Sequence, residues 1–119
     1  MSVRKIRLEL ARNPDFPLGS NTRGYEFKAP LTEDGTLDQE AWPSVRADCT
    51  VRRFWEGEDD EGGRLVHRRN RWLFHYNGMD ADEDEPIFRF DRHRFVEGEY
   101  VSIIEHNGEQ RTFRIARVG

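Results

Sequence analysis

Residues 100–115 decide the fold, and they read YVSIIEHNGEQRTFRI. Asn107 and Gly108 lie near the centre of this stretch, and Asn-Gly is the preferred pair for the two-residue type I′ turn of a β-hairpin. Closing the hairpin on that turn sets Tyr100 opposite Ile115. One face then carries the apolar side chains, which are Tyr100, Ile104, Phe113 and Ile115. We therefore predict an antiparallel hairpin with one face in a core.

A second hairpin is predicted from residues 64–76, which read RLVHRRNRWLFHY. If Arg69 and Asn70 form its turn, one face holds Leu65, His67, Trp72, Phe74 and Tyr76. The opposite face holds Arg64, Val66, Arg68, Arg71, Leu73 and His75. In this register Arg68 stands directly across from Arg71, and such a like-charge pair destabilises a sheet unless an anion lies between the two side chains.

Shorter strand signals occur in the rest of the chain. The apolar residues Ile6, Leu8 and Leu10 alternate with charged residues, as they do in a half-buried strand. Further strands are predicted at residues 25–29 with Pro30 as the stop, at 49–55 and at 87–90.

The helix signal is short. Thr36 or Asp38 offers an N-cap, and Pro43 limits the helix to a turn or two near residues 37–42. Trp42 is expected to plug one open end of the sheet. Short strands separated by tight turns are typical of a barrel or a sandwich. We predict one mainly β domain over residues 1–119, a small antiparallel barrel or sandwich of about 6–7 strands.

Composition narrows the class of protein. Only 35% of the residues are apolar, but eight Phe, three Trp and three Tyr can build a compact aromatic core. No apolar run reaches the roughly 20 residues of a membrane helix, and the charged start lacks the apolar stretch of a signal peptide. The single cysteine, Cys49, excludes an internal disulfide and fits a reducing compartment. We expect a soluble cytoplasmic protein that makes no membrane contact.

The basic face of the second hairpin is the main candidate for a binding site. It carries Arg64, Arg68, Arg71 and His75, and strands that combine arginine with aromatic residues grip single-stranded nucleic acid through phosphate contacts and stacking. The alternative is that the aromatic residues form the core while two acidic loops, 56–61 and 80–85, neutralise the arginines. Each loop holds five carboxylates, which would also repel phosphate. An acidic protein surface is the other anionic partner considered.

The second acidic loop has the alternating spacing of a calcium site. Asp80, Asp82 and Asp84 could present side-chain oxygens to a hard cation. Glu85 stands where a calcium loop requires glycine, and Pro86 follows it. The alternatives are therefore a structural domain modulated by a divalent cation and a solvated acidic loop.

Catalysis has weaker support. His93, close to Asp91, could act as a base, and Cys49 with a distant histidine could form a nucleophile pair. The four histidines lack the spacing of a zinc site, and the chain has neither a glycine-rich phosphate loop nor a nucleophile elbow. We expect no cofactor, and we favour a protein that is not an enzyme.

An internal similarity links residues 53–58 with residues 94–99. The two segments read RFWEGE and RFVEGE, which raises the alternatives of a true repeat and a chance match. Small β-barrels host unrelated functions, so fold class alone assigns none. The sequence hypothesis is a non-catalytic binding or regulatory β module whose arginine-rich face meets an anionic partner.

Overall fold

The computed structural model describes residues 2–69, 71–77, 94–105 and 107–119, together with the backbone pairing of residues 85–88. Eight strands lie within these residues. They are β1 (Ser2–Leu10), β2 (Ser20–Leu31), β3 (Thr50–Trp55), β4 (Glu61–Arg68), β5 (Arg71–Tyr76), β6 (Glu85–Phe88), β7 (Tyr100–Ile104) and β8 (Gln110–Val118). The helical part is α1 (Trp42–Val45), which continues into a 3₁₀ helix (Arg46–Asp48).

The strands form an antiparallel barrel in which each strand pairs with its neighbours in the sequence. Seven strands make a curled sheet, and the four-residue strand β6 joins β5 to β7. Pairing of β1 with β8 completes the ring. The predicted mainly β architecture is therefore confirmed, and of the two predicted forms it is the barrel. A closed ring removes exposed sheet edges, which are a common route to aggregation. No helix in the described parts of the chain is long and apolar enough to span a bilayer.

The core is the interior of this barrel, and aromatic rings dominate it. The alternation predicted for β1 is confirmed, because Ile6, Leu8 and Leu10 are all buried. Tyr25 packs against Phe74 and Phe113 with ring centroids 5.2 Å apart in both pairs. Edge and tilted contacts of this kind add to the stabilisation that burial alone provides.

Strand β2 is longer than predicted at both ends. It begins at Ser20 and continues through Pro30, which pairs with Val3 of β1. On its other side, the ladder with β3 ends at the pair of Phe27 and Val51. Pro30 therefore lies where β2 is not paired with β3, and a residue without a backbone N–H is tolerated there.

The helix lies further along the sequence than predicted. The helix was expected near residues 37–42 with Pro43 as its end, but it begins at Trp42 and Pro43 lies in its first turn. The first turn needs no backbone N–H from its residues, and the fixed φ of proline suits it. Trp42 covers one end of the barrel as expected, because its indole Nε1 donates to the Leu65 carbonyl at 3.1 Å and its ring meets Trp72 edge-on.

The β4–β5 hairpin has the register that the sequence predicts. Leu65 pairs with Phe74, and Arg68 pairs with Arg71. Arg69 has a positive φ of 51°, which is consistent with a tight turn. The inward side chains of Leu65, Trp72, Phe74 and Tyr76 are buried, as predicted.

The predicted register of the β7–β8 hairpin is wrong by one residue. Tyr100 pairs with Arg114, not with Ile115. The turn closes at Glu105, whose N–H donates to the Glu109 carbonyl at 2.9 Å, so the connection is longer than a two-residue turn. Gly108, with φ of 83°, suits the left-handed position that ends such a longer loop.

A shift of one residue exchanges the two faces of a strand. Val101 and Ile103 of β7 therefore enter the core, while Tyr100 is 53% exposed and Ile104 is only partly buried. Glu105 also becomes an inward residue. This change creates the buried ionic cluster described below.

The similarity between residues 53–58 and 94–99 reflects a shared turn. Glu58 N–H donates to the Trp55 carbonyl, and Glu99 N–H donates to the Val96 carbonyl. Gly57 and Gly98 have positive φ values of 87° and 93° at the same turn position. The first turn connects β3 to β4, whereas the second precedes β7 at the opposite end of the barrel. A repeat of four strands would place both turns at the same end, so the similarity is one of turn chemistry.

Candidate functional site

Arg64, Arg68, Arg71 and His75, here called the arginine surface, lie on the outer side of β4 and β5. The register pairs Arg64 with His75 and Arg68 with Arg71. Directly paired side chains in an antiparallel sheet have Cβ atoms ~4.5–5.5 Å apart. The hairpin therefore brings all four residues onto one patch, with two basic pairs along it.

The centre of the arginine surface is apolar. Val66 pairs with Leu73 between the two basic pairs, and Leu73 is buried. Arg64, Arg68 and Arg71 are exposed, and His75 is partly exposed. Within the described residues, no ion pair involves Arg64 or Arg71. The patch thus combines the exposed guanidinium groups of Arg64 and Arg71 with the partly exposed side chain of Val66.

The aromatic residues of this hairpin do not belong to the arginine surface. Trp72, Phe74 and Tyr76 point into the barrel and are at most 2% exposed. This outcome matches the alternative in which they form the core. Base stacking on this face of the hairpin therefore has no aromatic platform from β5.

The first acidic loop neutralises other arginines. Glu56 contacts Arg23 at 3.1 Å, and Asp60 contacts Arg52 at 2.7 Å. Arg23 lies on β2 and Arg52 on β3, outside the arginine surface. These two carboxylates therefore pair with arginines outside the arginine surface, and neutralisation of that surface by the acidic loops stays a prediction. Of the second loop, residues 80–84 lie outside the described residues.

The barrel wall formed by β1, β2 and β3 carries its own ion-pair network. Glu26 accepts a hydrogen bond from Arg52 and lies 3.4 Å from Arg7 and 3.6 Å from Lys5. Burial raises the pKa of Glu26, but the hydrogen bond and charge of Arg52, with the charges of Lys5 and Arg7, outweigh it and lower the pKa below its usual value. Phe54 lies under the guanidinium groups of Arg7 and Arg52, with centroid distances of 4.4 and 5.0 Å. These arginines are engaged within the wall, unlike Arg64 and Arg71.

The metal and histidine predictions fall on residues that the structure does not describe. Asp80, Asp82, Asp84 and His93 all lie outside the described ranges. Among the residues inside those ranges, no group of three or more histidine, cysteine or acidic side chains could hold a metal ion.

Cys49 is unsuited to nucleophilic catalysis. Its side chain is fully buried in the core, and Sγ donates to the Val45 carbonyl at 3.4 Å. Burial, with a smaller contribution from the charge of Asp48, raises the pKa of the thiol to about 11. The reactive thiolate is therefore scarce at neutral pH, and the structure favours a packing role.

A second polar cluster was missed by sequence reasoning. It lies at the end of the barrel that carries the β3–β4 and β7–β8 turns, and we call it the mouth cluster; it comprises Tyr25, Arg53, Glu105 and Arg111. The Tyr25 hydroxyl donates to Glu105 Oε2 at 2.6 Å, and Arg53 Nε donates to the same oxygen at 3.0 Å. Arg111 Nε lies 2.9 Å from Glu105 Oε1.

The charges of the mouth cluster are closely balanced. Burial lowers the pKa of Arg53, but the hydrogen bond and charge of Glu105 outweigh that effect and raise it above its ordinary value. Arg53 also contacts Glu58 at 3.2 Å, and Arg111 contacts Glu109 at 2.7 Å. Both oxygens of Glu105 already have partners, so the carboxylate is not open to a substrate. The cluster therefore closes the barrel end and holds β2, β3, β7 and β8 together.

The fold and site define an eight-stranded antiparallel barrel with a buried ionic cluster at one end and an exposed arginine surface on its wall, counted over the described residues. Comparisons with protein-family models, with curated proteins and with solved structures find no match for this chain. Its function is therefore argued from the geometry of its own side chains.

Proposed function

We propose that this protein is a non-catalytic binding module that takes an anionic partner on the arginine surface. The observation that carries the proposal is the direct pairing of Arg68 with Arg71 on neighbouring strands, with both side chains exposed. Like charges placed directly opposite each other destabilise a sheet. An anion between the two guanidinium groups relieves that repulsion.

The surroundings of the arginine surface support the same proposal. Arginines elsewhere on the barrel wall, such as Arg7 and Arg52, contact acidic side chains of the chain itself. Glu56 and Asp60 of the first acidic loop contact Arg23 and Arg52, which lie outside the arginine surface. Arg64 and Arg71 therefore carry positive charge that no ion pair within the described residues offsets.

The chemistry of the patch favours an acidic protein segment over single-stranded nucleic acid. Guanidinium groups form bidentate hydrogen bonds with carboxylates, and the partly exposed Val66 offers apolar contact beside them. Nucleic-acid grooves of this type also use exposed aromatic rings, whereas Trp72 and Phe74 are buried. We therefore propose carboxylate recognition by the arginine surface.

A binding experiment with charge-reversed variants tests the proposal. The probes are a fluorescein-labelled octaglutamate peptide and a labelled thymidine octanucleotide, titrated at 20 and 150 mM salt. The variant is Arg68→Glu with Arg71→Glu. The control is Lys28→Glu with Arg117→Glu, which changes the net charge equally at two other exposed positions.

The proposal predicts that octaglutamate binds at low salt and that the Arg68/Arg71 variant loses at least tenfold in affinity. The control variant should lose much less affinity for octaglutamate, because charges far from the binding site are screened by salt and contribute little to binding. Equal losses in the two variants would show a general charge effect and contradict the proposed site. Tighter binding of the octanucleotide than of the peptide would contradict the proposed partner.

A further inference from the structure

A groove on the opposite side of the barrel lies beside the loop of residues 11–19, against β1 and β8. Its smaller part has a volume of about 220 Å³ and is lined by that loop together with Leu10, Tyr100 and Arg114. A larger part of about 600 Å³ continues from it along residues 19–23. The two parts share Leu10, Leu18, Gly19 and Arg114.

The smaller part of the groove has exposed apolar walls. Leu18 is 93% exposed and Tyr100 is 53% exposed, and both line it. Single exposed apolar residues are common, but two that line one concavity form a contact site for an apolar group. A space of this size is below the ~300–1,000 Å³ of small-molecule pockets, so it suits one amino-acid side chain.

The smaller part also carries positive charge. Its described lining includes Arg12 and Arg114 and no carboxylate. The neighbouring Glu9 lies 3.4 Å from Arg114, but it is shared with Arg7 at 2.8 Å. One carboxylate therefore serves the guanidinium groups of Arg7 and Arg114, which leaves Arg114 with capacity for a further carboxylate. Arg12 makes no ion pair within the described residues.

The larger part suits the backbone of an extended chain. The pairing of β1 with β2 shifts between Glu9 and Leu10, whose partners are Gly24 and Ser20. Residues 21–23 therefore have no pairing partner on β1 at this irregularity, while Arg23 stays paired with Trp55 of β3. Ser20, Asn21 and Thr22 line the groove with polar side chains. The hydroxyls of Ser20 and Thr22 contact each other, Arg23 and Glu56, and the Asn21 amide is the group that can donate to and accept from a bound backbone.

We propose that this groove binds the carboxyl-terminal end of a peptide whose last side chain is apolar. The terminal carboxylate contacts Arg12 and Arg114, and the last side chain packs against Leu18 and Tyr100. The preceding residues follow the larger part of the groove. This site is independent of the arginine surface, because β1 and β8 lie on the other side of the barrel from β4 and β5.

A matched set of probes tests the charge and the length of the ligand. The probes are N-acetyl-Ala-Ala-Leu, the same tripeptide with a carboxyl-terminal amide, and N-acetyl-leucine. Each is titrated to 5 mM into the isotope-labelled protein, and backbone amide shifts are followed by NMR. We expect the tripeptide acid to bind at least tenfold more tightly than the amide and than N-acetyl-leucine, with shifts at residues 11–23, 100 and 114.

A pair of variants on one strand tests the location. Arg114→Gln should weaken the binding of the tripeptide acid at least tenfold, whereas Arg117→Gln, also exposed on β8 but outside the groove, should leave it within twofold. Melting temperatures of both variants verify that each is folded. Equal binding of acid and amide, no binding at 5 mM, or equal losses in the two variants would overturn the proposal. If N-acetyl-leucine bound as tightly as the tripeptide, the proposed peptide ligand would be wrong, and the groove would instead bind a small carboxylate.

Discussion

The Tyr25 hydroxyl donates a 2.6 Å hydrogen bond to Glu105 Oε2, across 80 residues of sequence. The same oxygen accepts from Arg53, so a residue just before the β7–β8 turn joins two strands from the other half of the chain. Buried carboxylates persist only where such partners replace the lost hydration. The closed end of the barrel therefore depends on Glu105.

Replacement of Glu105 by glutamine should lower the free energy of unfolding by about 3 kcal/mol, because the buried Arg53 loses its charged partner. The matched control is Glu109→Gln, which removes the exposed partner of Arg111 and should cost about 1 kcal/mol or less. Urea unfolding followed by tryptophan fluorescence measures both. Equal losses would show that the mouth cluster is no more important than a surface ion pair.

Two neighbouring glycines of β4 should respond differently to alanine. A Cβ atom at Gly63 would lie 2.1 Å from the His75 carbonyl oxygen, whereas one at Gly62 would meet only Asn77 Nδ2 at 4.0 Å. Gly63→Ala therefore forces β4 and β5 apart and should destabilise the protein by about 2 kcal/mol or more. Gly62→Ala should change stability by less than about 0.5 kcal/mol. Thermal unfolding of the two variants checks this, and a similar Tm for both would contradict the packing described for this hairpin.

The pairing of Arg68 with Arg71 predicts a gain in stability on charge reversal of one partner. Arg71→Glu converts a like-charge pair into an opposite-charge pair, which should stabilise the protein by about 0.2–1 kcal/mol at low salt. Arg12→Glu, at an exposed loop position, is the control for the change in net charge. The gain should shrink in 1 M salt. A loss of stability specific to Arg71→Glu would show that the two guanidinium groups do not repel each other in the folded protein.

We expect the Cys49 thiol to lower the free energy of unfolding at alkaline pH. The pKa of its thiol is raised from 9.0 to about 11 by burial, so between these values the unfolded chain releases a proton that the folded chain keeps. The free energy of unfolding therefore falls as pH rises through this window, by up to about 2 to 3 kcal/mol, and is unaffected by this thiol below it.

Comparison with Cys49→Ala isolates the contribution of the thiol from those of other alkaline groups. The difference in unfolding free energy between the two proteins should narrow as the pH rises from 8.5 to 10.5. Parallel curves would mean that the thiol titrates alike in both states.

The sequence predicted those elements in which hydrophobic alternation alone determines the register. In β4 and β5 the inward set includes Leu65, Trp72 and Phe74, and a one-residue shift would expose these large apolar side chains. The alternation in β1 is equally clear. For these strands the burial of apolar area decides between the two faces, so the pattern is sufficient.

The β7–β8 hairpin lacked such a constraint. The segment Val101-Ser102-Ile103-Ile104 is apolar on both faces, so alternation could not distinguish the two registers. The preference of Asn107-Gly108 for a two-residue turn then led to the wrong register for this hairpin. The mouth cluster was lost with it, because a buried Glu105 follows only from the correct register together with closure of the barrel. Sequence spacing alone does not bring Arg53 and Arg111 to the same carboxylate.

The sequence predicted which residues form the arginine surface, because their alignment depends only on the register of one hairpin. It did not predict which arginines of the chain the acidic side chains pair with. The acidic loop at residues 56–61 follows β3, and only the folded barrel shows that its carboxylates Glu56, Glu58 and Asp60 contact arginines of β2 and β3. Long-range ion pairs depend on which side chains the closed sheet brings together. They leave no local pattern in the sequence.

The most direct test of the central claim is a backbone-resolved NMR titration of the labelled protein with unlabelled octaglutamate at 20 mM salt. Carboxylate recognition by the arginine surface predicts saturable shifts concentrated at residues 64–68 and 71–75, which disappear in the Arg68→Glu/Arg71→Glu variant. Shifts spread evenly over the basic residues of the barrel, or an absence of shifts at the β4–β5 hairpin, would contradict it.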